Sequence, residues 1–286
     1  MTSLPGAGLL GDDVMVTTPG GRRLRTMVDG DGDTLVVLEA GLGASALYWH
    51  AVVQLLRNDF RVVAYDRAGM GGSDPFDGRR TLDVLAADLR SVIDAFPHRR
   101  AILVGHSWGG PIVRVAAVGR DDVAGLVLVD QSDENDPMFF EPAVRWQFAV
   151  QSRVVVPLAR LGLLARMARS SLERLPQRLR QAVVESSYSP RAAAAVAAEE
   201  REVVSELSGL LQRPLAFGDL PIRVISGQRA GRFERRMRAE LVRAHLATAQ
   251  AHAGAEYVPA RTAGHMVPIS EPELIAAQVI EVAQAG

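Results

Sequence analysis

Short apolar runs alternate with amphipathic helical stretches along most of the chain, and this alternation constrains the fold more than any other feature. Four runs have the length and continuous apolar character of strands in a parallel sheet: Leu35–Leu38, Arg61–Tyr65, Ala101–Val104 and Leu126–Val129. Residues 81–96, between the second and third runs, carry apolar side chains at helical spacing. Strands joined by helices form parallel sheets that have helices on both faces. We therefore predict an α/β protein.

The alternation begins after a hairpin and is interrupted once. Runs at residues 14–17 and 24–28, on either side of Pro19-Gly20-Gly21, predict two antiparallel strands at the start. From about residue 133 to residue 213 the pattern is helical, without a convincing strand. The helical pieces of that segment are Arg145–Leu164, Leu172–Ser186 and Arg191–Leu211. Strands at 222–225 and 255–258 and helices at 232–251 and 271–285 follow it.

This organisation predicts a mostly parallel sheet of about eight strands, with a helical cap inserted after the sixth strand. The core domain would consist of residues 1–132 and 214–286, and the cap of residues 133–213. The first half of the core also contains two further helical stretches, Ala46–Leu56, for which Ser45 is the expected N-cap, and Ser107–Val118.

Composition excludes several classes of protein. The chain has 286 residues, of which 48% are hydrophobic and 23% charged, as in ordinary globular proteins. A net charge of −1 gives no overall basic field for nucleic acid or an anionic membrane, and the absence of cysteine excludes disulfides, thiolate metal sites and a cysteine nucleophile. No uncharged apolar stretch reaches the ~18 residues of a membrane span, and the N-terminus lacks the pattern of a signal peptide. We expect a soluble, cytoplasmic protein, monomeric or homodimeric, whose partner is a small-molecule substrate.

One pentapeptide carries the strongest chemical signal. Gly105-His106-Ser107-Trp108-Gly109 follows the apolar run 101–104 and precedes a helical stretch. G-x-S-x-G between a strand and a helix is typical of a nucleophile elbow, a sharp turn that lifts the serine hydroxyl to the end of a sheet. In such a turn a Cβ atom at Gly105 or Gly109 would collide with neighbouring backbone. We expect Ser107 to be a nucleophile; the alternative is a glycine-rich turn without chemistry.

Two further motifs extend the pattern. Residues 66–74, Asp-Arg-Ala-Gly-Met-Gly-Gly-Ser-Asp, are similar to a D-R-x-G-x-G-x-S loop, and Gly264-His265 lies near the C-terminus, before Pro268. Together with the Ser107 pentapeptide, these motifs resemble the α/β-hydrolase family, in particular its capped esterase and lipase-like members, over about residues 14–282. The resemblance implies an α/β-hydrolase fold. Residues 66–74 are not a phosphate-binding loop, because no lysine follows the glycines.

A serine hydroxyl is a weak nucleophile and requires a base. The family places this base in the loop after the last strand, and here His265 follows Ala263-Gly264 at that position. The resemblance therefore implies that His265 is the general base. The other five histidines are expected to be surface or packing residues, including His106 inside the elbow.

The third member of such a triad orients the imidazole and stabilises its cation. The usual family position for this acid is the loop after the strand 222–225, but residues 226–231 contain no acid. Some members of the family carry the acid at the end of the preceding strand, and here that residue is Asp130. We therefore expect Asp130 to orient His265, although an aspartate there could simply cap the following turn. Three other acids remain alternatives: Asp133, Glu134 and Glu234.

The resemblance also implies an oxyanion hole made of two backbone N–H groups. One belongs to the residue after the nucleophile, Trp108. The other lies in the loop after the third strand, where Leu42 holds the donor position and Ala40 replaces the usual histidine. Because the donor is a backbone group, that replacement need not abolish the hole. Glu39, the last residue of the strand, is either an internal hydrogen-bonding residue or a second acid near the site.

The predicted cap contributes two groups of side chains that allow more than one interpretation. An apolar cluster at its start is either the core of the cap or a pocket wall, and for the wall we single out Met138, Phe139 and Trp146. The many arginines of the cap form either a solvated face with salt bridges or a rim for acidic substrates. Arg67, in the 66–74 loop, is either structural or in contact with the substrate.

These predictions combine into a serine hydrolase without cofactor or metal. It would cleave an ester, thioester or lactone of a small, apolar substrate through an acyl-enzyme. The alternatives are an amidase or prolyl aminopeptidase-like peptidase, a carbon–carbon bond hydrolase, a haloperoxidase-like enzyme, and a non-catalytic small-molecule receptor on a hydrolase fold. Ser107 argues against a haloalkane dehalogenase or an epoxide hydrolase, because those relatives carry aspartate at the elbow.

Overall fold

The computed structural model describes residues 4–173, 175–232 and 234–285. Within these ranges eight strands form one sheet in the order β1-β2-β4-β3-β5-β6-β7-β8. The strands are β1 (Asp12–Thr17), β2 (Arg23–Asp29), β3 (Thr34–Glu39), β4 (Arg61–Tyr65), β5 (Arg100–His106), β6 (Val123–Val129), β7 (Ile222–Gly227) and β8 (Ala255–Ala260). The β1–β2 and β2–β4 pairs are antiparallel, and the other neighbours are parallel. The predicted α/β fold with a mostly parallel sheet is confirmed.

Helices connect the strands and cover both faces of the sheet. They are α1 (His50–Leu56), α2 (Leu82–Asp94), α3 (Gly109–Ala117), α4 (Pro142–Arg160), α5 (Leu163–Ser171), α6 (Gln177–Ser187), α7 (Pro190–Gln212), α8 (Arg235–Ala251), α9 (Val267–Ser270) and α10 (Pro272–Ala285). Alternate residues of β3 face opposite sides: Val36 and Leu38 pack with α1 and α10, whereas Leu35 and Val37 pack with α2 and α3. This alternation buries both faces of the sheet, as the continuous apolar runs predict.

Several helix boundaries differ from the sequence prediction, and three of the differences lie around Ser45, Gly162 and Pro176. The predicted helix 46–56 begins as a 3-10 turn over Ala46–Trp49, and the Ser45 side chain accepts no capping hydrogen bond. The predicted helix 145–164 breaks at Gly162, whose positive φ of 68° ends α4 and starts α5. The predicted helix 172–186 starts later, because Pro176 sets the entry into α6.

The inserted helices α4–α7 lie between β6 and β7, and α7 is tied to the core by buried charges. The Arg67 guanidinium donates to both carboxylate oxygens of Glu199, at 3.1 and 2.9 Å, and Arg80 donates to the same carboxylate. All three side chains are at most 2% exposed. The pairing holds α7 against the loop after β4, which places the insertion above the carboxyl ends of the strands.

No single helix within the described ranges is long and apolar enough to cross a bilayer. Helices α4 and α5 reach the required length and hydropathy only as a pair, and that pair bends by 91°.

Candidate active site

Ser107 occupies a sharp turn between β5 and α3. Its backbone φ is +53°, which is rare for a residue with a side chain and stores strain. A Cβ atom at Gly105 would collide with the carbonyl oxygen of Gly109, and one at Gly109 would lie 2.5 Å from the carbonyl oxygen of Glu39. The turn therefore requires glycine at both positions, as the pentapeptide predicts. Its shape lifts Ser107 to the carboxyl end of β5.

Asp130 follows the last residue of the neighbouring strand β6. Its φ is +42°, and within the described ranges it shares a positive φ only with Ser107 among residues other than glycine. This conformation directs the carboxylate sideways, toward the loop after β8. There His265 Nδ1 lies 2.7 Å from Asp130 Oδ2. Residues from the ends of two strands and from one loop are thus brought together.

The second oxygen of Asp130 has two partners that the sequence analysis missed. Asp130 Oδ1 accepts hydrogen bonds from the backbone N–H of Gly227 at 2.8 Å and from Arg238 Nη1 at 2.5 Å. Burial alone would raise the pKa of this carboxyl, but the hydrogen bonds from His265 and Arg238 hold it well below its usual range. Asp130 is therefore ionised at neutral pH.

The sequence offered little to identify those two partners. Gly227 ends β7, and a Cβ atom there would collide with the carbonyl oxygen of Gly264, so a required glycine was the only available signal. Arg238 is one of several arginines on α8, and only the packing of that helix distinguishes it from the others.

His265 is held by its backbone while its ring stays accessible. Its carbonyl oxygen accepts a hydrogen bond from His106 Nε2 at 2.9 Å, and its side chain is 48% exposed. His106 is buried, and burial together with the nearby His265 lowers the pKa of His106 to about 3. His106 is thus a neutral side chain that supports the loop of His265.

Leu42 and Trp108 line the same cavity as Ser107. Neither backbone N–H has a hydrogen-bond acceptor within residues 4–173, 175–232 and 234–285. Trp108 is also the N-cap residue of α3, where the helix dipole favours negative charge. Two N–H groups without partners beside a serine can donate hydrogen bonds to an anionic oxygen.

The cavity at this site has a volume of about 460 Å³ and mostly apolar walls. Ser107, Trp108, Asp130 and His265 form its floor, together with Leu42. The remaining apolar lining comes from the segment after β6, from the inserted helices and from α8: Met138, Phe139, Val144, Phe148, Val203, Met237 and Leu241. A cavity of this size suits a small organic molecule.

The structure places two of the three predicted pocket residues at the cavity. Met138 and Phe139 line it, but Trp146 does not, and its side chain is 70% exposed. The prediction for Trp146 is therefore wrong. Residues two positions apart on a helix point in different directions, so α4 turns Phe148 toward the cavity and Trp146 toward the outside.

The alternative acids make other contacts. Asp133 accepts hydrogen bonds from Gln131 and Thr248, Glu134 pairs with Arg114, and Glu234 accepts the N–H of Gly231. Among these side chains only Glu234 lines the cavity. Asp130 is thus the acid that contacts His265.

Glu39 and Arg67 are internal residues of this end of the sheet. Glu39 is fully buried, pairs with Arg67 at 2.7 Å and accepts a hydrogen bond from the Tyr65 hydroxyl. Burial raises the pKa of Glu39 to about 7, against the opposing effects of Arg67 and Tyr65. Arg67 is 2% exposed and also donates to the carbonyl oxygens of Ala40 and Gly41, so it braces the Leu42 loop. Within the described ranges no three acids or histidines are arranged to hold a metal ion.

Comparison with known proteins places this geometry in a family. The sequence model of the alpha/beta hydrolase family matches residues 35–278 of this chain. The chain is 32% identical over 111 residues to the strigolactone esterase D14 of Arabidopsis thaliana, covering 37% of this chain and 42% of that protein. It is 35% identical over 108 residues to the karrikin insensitive 2 receptor CA of Petunia hybrida, covering 36% of this chain and 40% of that protein.

Sequence similarity to curated relatives is partial, whereas structural similarity extends over the chain. The curated relatives are matched over 16% to 42% of their own lengths. The solved structure of a thermophilic esterase from Thermogutta terrifontis shares 24% identity and a TM-score of 0.70, covering 96% of this chain and 99% of that one. That likeness shows a common fold, and the family match spans most of the sequence. The chain therefore belongs to the α/β-hydrolase family.

Proposed function

We propose that this hydrolase is a serine esterase that cleaves an ester, thioester or lactone of a small, apolar substrate through an acyl-enzyme. Ser107 is the nucleophile, His265 the general base and Asp130 the residue that orients it. The observation that carries the proposal is the 2.7 Å contact between His265 Nδ1 and Asp130 Oδ2 in the cavity that also contains Ser107. The name of the similar esterase from Arabidopsis supports the same reaction class.

Acylation follows from this arrangement. Ser107 Oγ attacks the carbonyl carbon of the substrate, and its proton passes to His265 Nε2, which is free because Nδ1 is bonded to Asp130. The carbonyl oxygen becomes an oxyanion that accepts hydrogen bonds from the backbone N–H groups of Leu42 and Trp108. The intermediate collapses, and His265 donates its proton to the departing alcohol. The acyl group is then joined to Ser107 Oγ.

Deacylation uses the same groups in reverse. Water donates a proton to His265 and attacks the acyl carbon, the oxyanion forms again, and Ser107 leaves with the proton from His265. The products are a carboxylic acid and the free enzyme. The ionised Asp130 stabilises the imidazolium that forms in both steps.

The apolar walls support an apolar acyl or alcohol group in the substrate. Met138, Phe139 and Phe148 line the part of the cavity contributed by the chain after β6. They favour burial of hydrocarbon, at about 25 cal/mol per Å² of apolar surface removed from water. The fold itself does not specify the substrate.

A receptor without turnover is the second candidate function, favoured by the name of the similar receptor from Petunia. Intact mass after exposure to a fluorophosphonate probe distinguishes the two. We expect one adduct on the parent protein and none on Ser107→Ala. A folded parent that stays unlabelled would contradict an activated serine and leave a binding protein, for which ligand binding without turnover would be measured next.

A further inference from the structure

The outer face of α4 carries apolar side chains that the core does not use. Trp146, Val154 and Leu161 are 70%, 41% and 73% exposed, and Val150 and Pro157 lie between them along the helix. At 100° per residue these five positions fall within a sector of about 80°, so they form one stripe along the helix. We call these five residues the outer stripe. It continues into α5 at Leu163, which is 40% exposed.

The opposite face of α4 is already packed. Val155 and Ala159 are buried against Ala193 and Ala197 of α7, and Phe148 lines the cavity. The helix is thus apolar on two sides. The apolar side chains of one side pack against α7, whereas those of the outer stripe are not needed for this packing. Large exposed apolar patches of this kind mark interaction sites.

The charged residues of α4 and α5 themselves are all of one sign, although Glu173 and Glu185 lie beside Arg166 and Arg169. Residues 142–171 contain five arginines and no aspartate or glutamate, although the whole chain has a net charge of −1. The arginines are Arg145, Arg153, Arg160, Arg166 and Arg169. Within the part of the chain that the structure describes, none of them forms an ion pair with a carboxylate. The balanced total charge therefore conceals a strongly basic, apolar surface on α4 and α5.

We propose that this surface binds the face of an anionic lipid bilayer, with α4 lying in the plane of the interface. A helix with an apolar stripe, flanking arginines and a tryptophan has the composition that interfacial helices require. Arginine side chains extend their charged heads toward lipid phosphates while their methylene groups stay in apolar surroundings. The bend of 91° between α4 and α5 fits a bent pair of helices on the membrane surface better than a straight span.

Charge favours this occupant over a second copy of the chain. A two-fold dimer through the outer stripe would bring Arg153 and Arg160 of each copy close to those of the other, and like charges across an interface oppose binding. A surface of anionic lipids instead supplies negative charge opposite Arg153 and Arg160, which flank the outer stripe on α4. Each arginine near such a surface contributes about a fivefold increase in partitioning at low salt.

Flotation of the full-length protein with vesicles tests the proposal. We expect it to bind phosphatidylcholine vesicles that contain ~30% phosphatidylserine, to bind pure phosphatidylcholine weakly, and to dissociate as salt is raised. The double variant Arg153→Gln/Arg160→Gln should reduce partitioning about 25-fold, and Leu161→Ser should reduce it further. Both changes are at exposed positions, so the fold is retained.

Tryptophan fluorescence gives a second readout, which non-specific association of the protein with vesicles would leave unchanged. Trp49 and Trp108 are buried, so quenching by acrylamide reports on Trp146. Vesicles should shift its emission to the blue and protect it from quenching. The matched control is Arg235→Gln/Arg243→Gln, which removes two exposed arginines of α8 and should leave binding unchanged. Leu55→Ser, which removes an exposed leucine of α1, serves as the control for Leu161→Ser.

Three results would overturn the proposal. The first is no binding to anionic vesicles at low salt. The second is equal loss of binding in the control and in Arg153→Gln/Arg160→Gln. The third is a dimeric mass in solution that becomes monomeric in Leu161→Ser, because the outer stripe would then be covered by a second copy.

Discussion

At the residue scale, Asp130 gathers the groups that make the site. It accepts hydrogen bonds from His265, Gly227 and Arg238, from three different elements. Its strained backbone persists because these partners over-determine the position of the carboxylate. Ser107 is likewise held in a strained conformation, because close backbone contacts at the required glycines fix the turn. Strain at both residues supports the catalytic roles that we propose for Ser107 and Asp130.

Replacement of the acid separates orientation from fold. Asp130→Asn keeps the size of the side chain, but the amide cannot stabilise the imidazolium or fix its tautomer. We expect fluorophosphonate labelling of Ser107 to slow by about 10³–10⁴-fold, with an unchanged circular dichroism spectrum. Equal labelling rates for Asp130→Asn and the parent would contradict the role of Asp130 in orienting His265, but not the role of Ser107 as the nucleophile.

Arg238 leads to a prediction about pH dependence. Arg238 forms an ion pair with Asp130, so its positive charge offsets part of the negative charge that stabilises the protonated form of His265. In Arg238→Met the imidazolium is therefore stabilised more strongly, and the acid limb of the rate–pH profile should move to higher pH. Rates on the plateau should fall by about tenfold or less, because Gly227 still holds Asp130. The control is Arg229→Met, which changes a cavity arginine that does not contact Asp130 and should leave the acid limb of the profile in place. If the acid limb also stays in place in Arg238→Met, Arg238 is only structural.

The residues of the site differ in how far the sequence could predict them. Ser107 was predictable because the turn needs glycines at fixed positions, and His265 and Asp130 because family motifs and strand ends place them. Arg238 was not, because its role depends on how α8 packs over β7. Trp146 was predicted wrongly, since an apolar residue on a helix does not reveal which side faces the cavity.

At the element scale, strands were predicted more accurately than the inserted helices. Runs such as Leu35–Leu38 are short, apolar and bounded by turns, so their length and their continuous apolar character both indicate a strand. In the insertion both faces of α4 are apolar, and the pattern does not show where one helix ends. The break occurs at Gly162, whose positive φ of 68° precedes α5. Local sequence permits that break without requiring it.

Helix α7 is the element that joins the insertion to the core, and Glu199 is its main contact. Glu199→Gln leaves Arg67 and Arg80 buried without a full counter-charge. Loss of one partner of a buried ion pair costs about 3–5 kcal/mol. We expect the free energy of unfolding in urea to fall by that amount.

Glu202→Gln on the same helix is the matched control. Its partner Arg79 has a side chain that is 76% exposed, so the pair is worth about 1 kcal/mol or less. A similar loss of stability in the two variants would contradict a special role for the buried Arg67–Glu199–Arg80 cluster.

At the scale of the whole molecule, two buried acids make stability depend on pH. Burial raises the pKa values of Glu39 and Glu200 to about 7 each. In the unfolded chain both titrate near 4.5, so between about pH 4.5 and pH 7 the folded state binds more protons than the unfolded state. The contribution of these two groups to stability therefore falls as pH rises through this interval and levels off above it. This direction is opposite to that of carboxylates such as Asp130, whose lowered pKa removes stability only in acid.

Glu200 allows this dependence to be tested directly. It is 1% exposed, and within the described residues neither carboxylate oxygen has a hydrogen-bond partner. It follows Ala193 and Ala197 at helical spacing on the face of α7 that packs against α4. Glutamine resembles the protonated acid, so Glu200→Gln should match the parent near pH 5. Near pH 8 it should be more stable, on the order of 1–2 kcal/mol, because the parent then buries a charge.

Urea unfolding at both pH values measures this difference, and the exposed Glu173→Gln is the control. Glu173 is in contact with water, so its replacement should change stability by about 0.5 kcal/mol or less at either pH. A gain that is equal at pH 5 and pH 8 would show that Glu200→Gln acts through packing rather than charge. A gain confined to the higher pH would mean that an ionising carboxylate between α4 and α7 weakens the contact holding α4 to the rest of the molecule. Because α4 carries both a wall of the cavity and the outer stripe, the change from pH 5 to pH 8 should then loosen the two surfaces together.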